Sequence, residues 1–288
     1  MNADLQHSIA IAGTGRVAQA LGRLLRERGE PVVAVAGRNG ERTAHAAEFI
    51  GAPAAALREI PARAGRVLIA VRDGAVRGVA RALADAGMNG GAALHTCGSR
   101  GPEILAPLAR AGVACGVLHP LQTVASPEAG VTAIPGSAFA ISGDPDAVAW
   151  AEQIVKLLCG TTLRVAAGAM PLYHAGAVMA SNYVAGLLDA AAALMKAAGI
   201  EEKPALDALG PVVYAGVANA LTLGPEKALT GPIERGDAET VRRHLASLTA
   251  APASVACLYR SAGRHVLEIA RRRGLDEAKA HEIETLLG

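Results

Sequence analysis

The sequence predicts an α/β fold: a doubly wound parallel sheet over residues 1–166, then an all-helical domain over residues 167–288. Three observations predict it. Short apolar runs alternate with helical periodicity through the first half. A glycine-rich turn joins the first run to the first helix, and beyond Pro171 the pattern is helical alone. Alternating strands and helices imply parallel neighbours, because a parallel pair needs a crossover connection.

The elements follow in order. Residues 8–12 form an apolar strand, and Gly13, Gly15 and Ala18 then stand in a GxGxxA arrangement ahead of "RVAQALGRLLRER", which has helical spacing and ends at Gly29. A second strand follows at 32–36. In this strand–turn–helix–strand frame the glycines have distinct tasks. Gly13 permits the tight turn, Gly15 lets the backbone approach a pyrophosphate, and Ala18 lets helix and strand pack closely. The phosphates then meet free N–H groups at the positive end of the helix. The motif predicts a dinucleotide site built on Gly13, Thr14, Gly15, Arg16 and Val17.

The end of the second strand selects the dinucleotide. A carboxylate there would bond the ribose hydroxyls of NAD, whereas this chain reads "AGRNGER", with Arg38, Asn39 and Arg42. A guanidinium offers a planar fork of donors to a 2′-phosphate. The predicted cofactor is NADP, although two surface arginines would look the same. A nucleoside-cofactor methyltransferase is disfavoured on the same ground.

Residues 66–71, 92–95 and 113–118 read as buried strands, with 139–142 and 163–165 completing the sheet. Asp73 is placed to cap the helix after it, and Pro102 to open another. The segments "VRDG", "TCGS" and "HPLQ" follow strand ends and should line the ligand crevice. Val71, Arg72, Cys97 and Gly98 thereby join the predicted cofactor contacts, and His119 is a candidate proton donor.

In the second half a helix runs from Pro171 toward Gly199. Others are predicted near 204–223, bent at Pro211, and at 238–249, 253–273 and 277–287. On the first, His174, Val178 and Ser181 share a face; Asn182 lies about 80° around it, roughly 12 Å along the axis from His174. Polar groups on such an apolar helix need a partner or a ligand. His174 is either a satisfied structural histidine or a catalytic one. "LTGPIERGD", residues 229–237, interrupts the helices with two glycines and a proline. Arg235 either meets an anionic ligand from this loop or makes an internal salt bridge, while Asp237 caps the next helix.

Composition bounds the rest. Aromatics are only 2% of 288 residues, so Ala, Val, Leu and Ile must build the core. A net charge of +2 with mixed signs along the helices is no footprint for nucleic acid. Cys97, Cys115, Cys159 and Cys257 are scattered, with no metal-ligand spacing, so no metal is expected and reduced thiols in the cytoplasm are. "MNADLQHS" has no basic residue before the first apolar run and does not read as a signal peptide. The 24 residues between Arg164 and Asp189 carry no formal charge, long enough to span a bilayer. Gly168, Pro171, His174, Ser181 and Asn182 within them argue instead for burial in the protein or between two copies, predicting a homodimer and no membrane partner.

Together, "GTGRVAQALG", "LHTCGSRG", "GVLHPLQT", "LYHAGAVMASNYVAGLL" and "LTGPIERGD" resemble a bacterial Rossmann-like group whose C-terminal part is the domain of unknown function 2520. More distantly the chain is similar to pyrroline-5-carboxylate reductase, ketopantoate reductase and the β-hydroxyacid dehydrogenases. The resemblance implies an NADP-binding Rossmann domain, a helical C-terminal domain and often a dimer built from the helices. β-Hydroxyacid dehydrogenases carry a catalytic Lys on the first helix after the sheet. This chain has no Lys between Lys156 and Lys196, so that chemistry does not transfer. Tyr173, His174 and Asn182 remain as polar candidates there.

The expected function is an NADP-dependent oxidoreductase moving hydride to or from a small C=O or C=N substrate. His119 or His174 would be the proton donor, Asn182 would orient the substrate, and Arg235 would recognise an anionic group. The alternative is an NADP-binding sensor or assembly protein without turnover.

Overall fold

The computed structural model describes residues 3–288. Eight strands form one sheet: β1 Ile9–Ala12, β2 Val32–Ala36, β3 Ala54–Ala55, β4 Arg66–Ile69, β5 Ala92–His95, β6 Ala114–Pro120, β7 Ala138–Gly143 and β8 Thr161–Arg164. Their order is β3-β2-β1-β4-β5-β6-β7-β8. The chain starts in the middle at β1, works outward to β3 and returns on the far side at β4. The crevice over the ends of β1 and β4 is the switch point where such sheets bind ligands.

Burial follows the two-residue strand period. Ile9 and Ile11 pack on one face with Leu21, Leu94 and Trp150. Ala10 and Ala12 lie on the other with Val67, Ile69 and Leu83. Both faces are covered, which is why these strands read as unbroken apolar runs.

The sheet departs from the expectation of a parallel one at one pair. β7 runs antiparallel to β6, His119 lying opposite Ala140. Between them stands only the helix Pro127–Ala133. At 1.5 Å per residue it covers about 10 Å, well short of the roughly 23 Å of β6. β7 therefore starts from the end where β6 finishes. β3 is two residues long and leaves no periodicity to read.

Two compact units divide the chain, one ending at Ser181 and the other beginning at Asn182. The helix Met170–Ala180, expected to open the helical domain at 167, sits with the sheet. Met170 is fully buried against Val117 and Ala140. This helix stops at Ser181 (φ −127°, ψ −71°), and a separate one, Asn182–Ala197, follows. The single helix predicted from Pro171 to Gly199 is thus two, so the face of His174 and Val178 does not continue to Ser181, and the 80° offset drawn for Asn182 does not apply.

The second unit has its own core. Ile233, Val241, Leu267, Ile283 and Leu287 pack together from the helices Ala238–Ser247, Ala253–Arg272, Glu277–Leu287 and the single turn Pro232–Arg235. The 22-residue helix Glu202–Leu223, containing Pro211, buries only Ala205.

Candidate functional site

The glycine turn opens a cleft of about 1370 Å³ in the first unit. Gly13 has φ +147°, and a Cβ there would stand 2.1 Å from the Ala70 carbonyl oxygen. No side chain fits, so the turn crosses directly over the end of β4. At Gly15 a Cβ would meet nothing within 4 Å. That position, exposed at the start of the helix Arg16–Glu27, presents bare backbone to the cleft. No side chain caps this helix, and the first N–H groups of a helix lack internal partners. Gln19 Nε2 donates to Thr14 O at 3.0 Å and braces the turn.

Gly13, Thr14, Gly15, Arg16 and Val17 all line the cleft. The Arg16 guanidinium, however, donates to Val124 O (3.2 Å) and Ala125 O (3.0 Å), tying the turn to the 124–125 loop. Arg38, Asn39 and Arg42 line the cleft past β2. The Asn39 side chain caps the next helix by accepting from Arg42 N at 2.8 Å, so the exposed Arg38 offers the cleft a guanidinium while Asn39 shapes the turn. These residues fit a dinucleotide: a turn with glycine at 13 and 15, a helix start without a side-chain cap, and cations where β2 ends.

Val71 and Arg72 also line the cleft, but Cys97 and Gly98 do not. The reason lies in His95, which is fully buried. Its Nδ1 accepts from Cys97 N (3.2 Å) and its Nε2 donates to Gly101 O (3.1 Å). That clamp folds the 96–101 loop back on β5, burying Cys97 and leaving Thr96 as the lining residue. Burial holds the His95 imidazole below its usual range, against smaller opposing effects of Gly101, Glu103 and Asp73.

Beside the clamp lies a polar cluster of the same unit. His119, on β6, shares a hydrogen bond of 3.0 Å between Nδ1 and the Tyr173 hydroxyl. His174 meets the His119 ring edge-on, centroids 5.8 Å apart. Both imidazoles rest on Gly98, where a Cβ would come within 2.6 Å of His119 Nε2 and of His174 Cδ2. Burial first, then His174, pushes the His119 imidazole down to about 4, against a raising influence of Asp73. Burial raises the Tyr173 phenol.

Asp73 ties the cleft to the 96–101 loop that carries Gly98, and the sequence reading missed this role. It opens the helix Asp73–Asp85 as its first residue and makes no side-chain cap, contrary to expectation. Its carboxylate accepts from Ser99 Oγ at 3.0 Å and lines the cleft. Burial pushes this carboxyl up, but hydrogen bonds from Cys97 and Ser99 and the His174 charge outweigh it, holding it below its ordinary value. "VRDG" and "TCGS" marked the neighbourhood; nothing in one dimension pairs Asp73 with Ser99.

Asn182 and Arg235 stand in the second unit. Asn182 is exposed at the start of its helix. Arg235 closes the single turn Pro232–Arg235 between Gly231 and Gly236, both at positive φ, and is exposed. The internal salt bridge weighed for Arg235 is not formed among the described residues; it is Glu234 that pairs, with Arg273 at 3.4 Å. Asp237 caps the next helix as expected, accepting from Thr240 N at 3.0 Å and Thr240 Oγ1 at 2.7 Å.

Comparison with known proteins agrees with the resemblance. Residues 2–120 match a Rossmann-like domain and residues 137–266 the domain of unknown function DUF2520. The chain joins these two domains. No curated protein matches it in sequence. Among solved structures it is similar to a "putative NADP oxidoreductase" from Bacteroides fragilis, at 22% identity and TM-score 0.75 over 91% of this chain and 98% of that one. It is similar to a reductive aminase from Aspergillus terreus crystallised with NADPH4, cyclohexanone and allyl amine, at 20% identity and TM-score 0.65 over 98% of each. It is also similar to 1-pyrroline-5-carboxylate reductase from Streptococcus pyogenes, at 19% identity and TM-score 0.58 over 97% of this chain and 96% of that one. At these identities the likeness is one of fold.

Proposed function

We propose that the protein is an NADP-dependent reductase of a small C=O or C=N group. One observation carries the reading: Asp73 lines the dinucleotide cleft and accepts from Ser99, the neighbour of the Gly98 on which the His119 and His174 rings rest. A nucleotide cleft alone would serve a sensor equally well; a proton-bearing cluster tied to a cleft residue through Ser99 serves a reduction. The fold neighbours crystallised with NADPH4 or named as reductases support the same reading.

The bound cofactor would supply the hydride. The turn at residues 13–17 would hold the pyrophosphate by backbone N–H groups, and Arg38 the 2′-phosphate. Asp73 and Thr96 would wall the reacting end. The test is NADPH oxidation with a panel of ketones, aldehydes and cyclic imines, alongside binding. Arg38→Ala should weaken NADPH roughly ten- to a hundredfold, the loss of a hydrogen bond to a charged group at about 1.5–3 kcal/mol, and leave NADH nearly unchanged. Binding without turnover on the whole panel would favour the sensor.

We propose further that the protein is a homodimer, its second copy covering the helix Glu202–Leu223. Val212, Tyr214 and Leu221 on this helix are 68%, 79% and 83% exposed. Two helical stretches, 167–197 and 202–223, are long and apolar enough to cross a membrane. Their setting argues against it. The first begins with Met170 locked in the sheet core and Tyr173 bonded to His119, and Asp189 interrupts it. The second carries Asp207, leaving residues 208–223, about 24 Å of helix against a hydrocarbon core of about 30 Å. An apolar face that neither spans a bilayer nor is buried in its own chain fits a second copy.

A further inference from the structure

We propose that Tyr173 is the acid of this reduction and His119 the residue that refills it, an assignment that rests on the reductase reading. The phenol is the group that can give a proton at neutral pH. His119 is neutral there, because burial and the neighbouring His174 hold it at about 4, and a neutral imidazole N–H is a far weaker acid than a phenol. Tyr173 keeps its proton at neutral pH, its value raised by burial.

The geometry gives the pair a direction. His119 faces Tyr173 with Nδ1, at 3.0 Å. Its other nitrogen, Nε2, faces the space over Gly98 that His174 shares, since a Cβ there would lie 2.6 Å from both rings. One nitrogen thus serves the phenol and the other opens toward a second imidazole, itself in the field of the Asp73 carboxylate. Bound NADPH would supply a hydride to the C=O or C=N carbon, and the electron pair of that bond would go to the heteroatom. The heteroatom takes the phenolic proton, and the Tyr173 oxygen takes the Nδ1 proton of His119. Nε2 takes a proton from His174 or water, so the imidazole ends neutral, as it began.

His119 is a positioning residue in this scheme, acting through Tyr173. A purely structural reading also exists, because Tyr173 packs beside Met170 on the sheet. Tyr173→Phe keeps that packing and removes the hydroxyl; His119→Gln keeps a hydrogen-bonding side chain that cannot relay a proton. The probes are cyclohexanone alone and with methylamine, added to the panel above, with NADPH as reductant.

Tyr173→Phe should lower turnover about a hundredfold or more while melting temperature and NADPH affinity stay at wild-type values. His119→Gln should lower turnover about tenfold at unchanged KM, in the lower part of what proton transfer contributes. Its rate in mixed H2O and D2O should fall linearly with deuterium content where the wild type bows, one proton in flight replacing two. In the protein without cofactor, the His119 ring nitrogen signals should shift on Tyr173→Phe. Turnover within twofold of wild type in Tyr173→Phe, a linear wild-type profile, or unmoved ring signals overturns the pair and leaves the reductase reading standing. NADPH binding with no oxidation on any probe overturns that reading and the pair together.

Discussion

Two helices that both carry many apolar residues meet opposite fates in this chain. Arg16–Glu27 buries Ala18, Leu21, Leu24 and Leu25 against the sheet and turns its charged residues outward. Glu202–Leu223 has valines, leucines and alanines in plenty, yet buries only Ala205. The first helix has one apolar stripe and one surface to cover it, which is the rule for helices on a sheet. The second is apolar around most of its circumference past Asp207 and finds too little of its own chain to cover it. Apolar content alone therefore does not identify a core.

The comparison can be broken most forcefully in the sheet unit. Gly13→Ala should be severe, since the new Cβ would sit 2.1 Å from Ala70 O and Gly13 has φ +147°. A strained backbone costs of order 1–3 kcal/mol, so a loss near about 3 kcal/mol with abolished NADPH binding is expected. Gly15→Ala, whose Cβ meets nothing within 4 Å, should keep the melting temperature and weaken NADPH alone. Thermal unfolding and a cofactor titration on both variants decide it. Equal behaviour of the two would mean that the turn's close approach to β4 is not what fixes it.

A second test concerns the exposed helix. Light scattering without detergent should give twice the 29.1 kDa chain mass. The double change Tyr214→Glu with Leu221→Glu should give monomers, because two carboxylates buried without partners oppose association. A wild-type monomer would show that the apolar face stands uncovered in solution, and extraction only with detergent would restore the membrane reading.

Legibility in the sequence followed the same division. The glycine turn, the position of Arg38 past β2 and the strands β1, β2, β4, β5 and β6 could be read because strand period, turn chemistry and helix spacing are local. The antiparallel β7 could not, since direction depends on how far a connection reaches. The break at Ser181 was invisible for a related reason: "GAVMASNYVAGLL" keeps helical composition through a point where the backbone turns. The site was legible by neighbourhood only. His119, Tyr173 and His174 were candidates one by one, but their meeting over Gly98, and the Asp73–Ser99 bond, join strand ends far apart in sequence.

The smallest effects belong to the loop 229–237, where two neighbouring residues should respond differently. Asp237 caps the helix Ala238–Ser247 through Thr240 N and Thr240 Oγ1, and those hydrogen bonds hold its carboxyl below the ordinary range. A folded value below the unfolded one adds stability above the unfolded value, near pH 4, and loses it as pH falls through the folded one. Asp237→Ala should therefore lower the melting temperature by a few degrees at pH 7, and the two proteins should converge toward pH 2. Arg235 is exposed and forms no ion pair among the described residues. Surface changes of that kind stay within about 0.5 kcal/mol, so Arg235→Ala should melt with the wild type at every pH. If it also leaves NADPH affinity and the KM of an anionic substrate unchanged, the guanidinium is plain surface. A KM raised tenfold at unchanged melting temperature would give it the ligand role read from the sequence, and a lowered melting temperature would make it architecture after all.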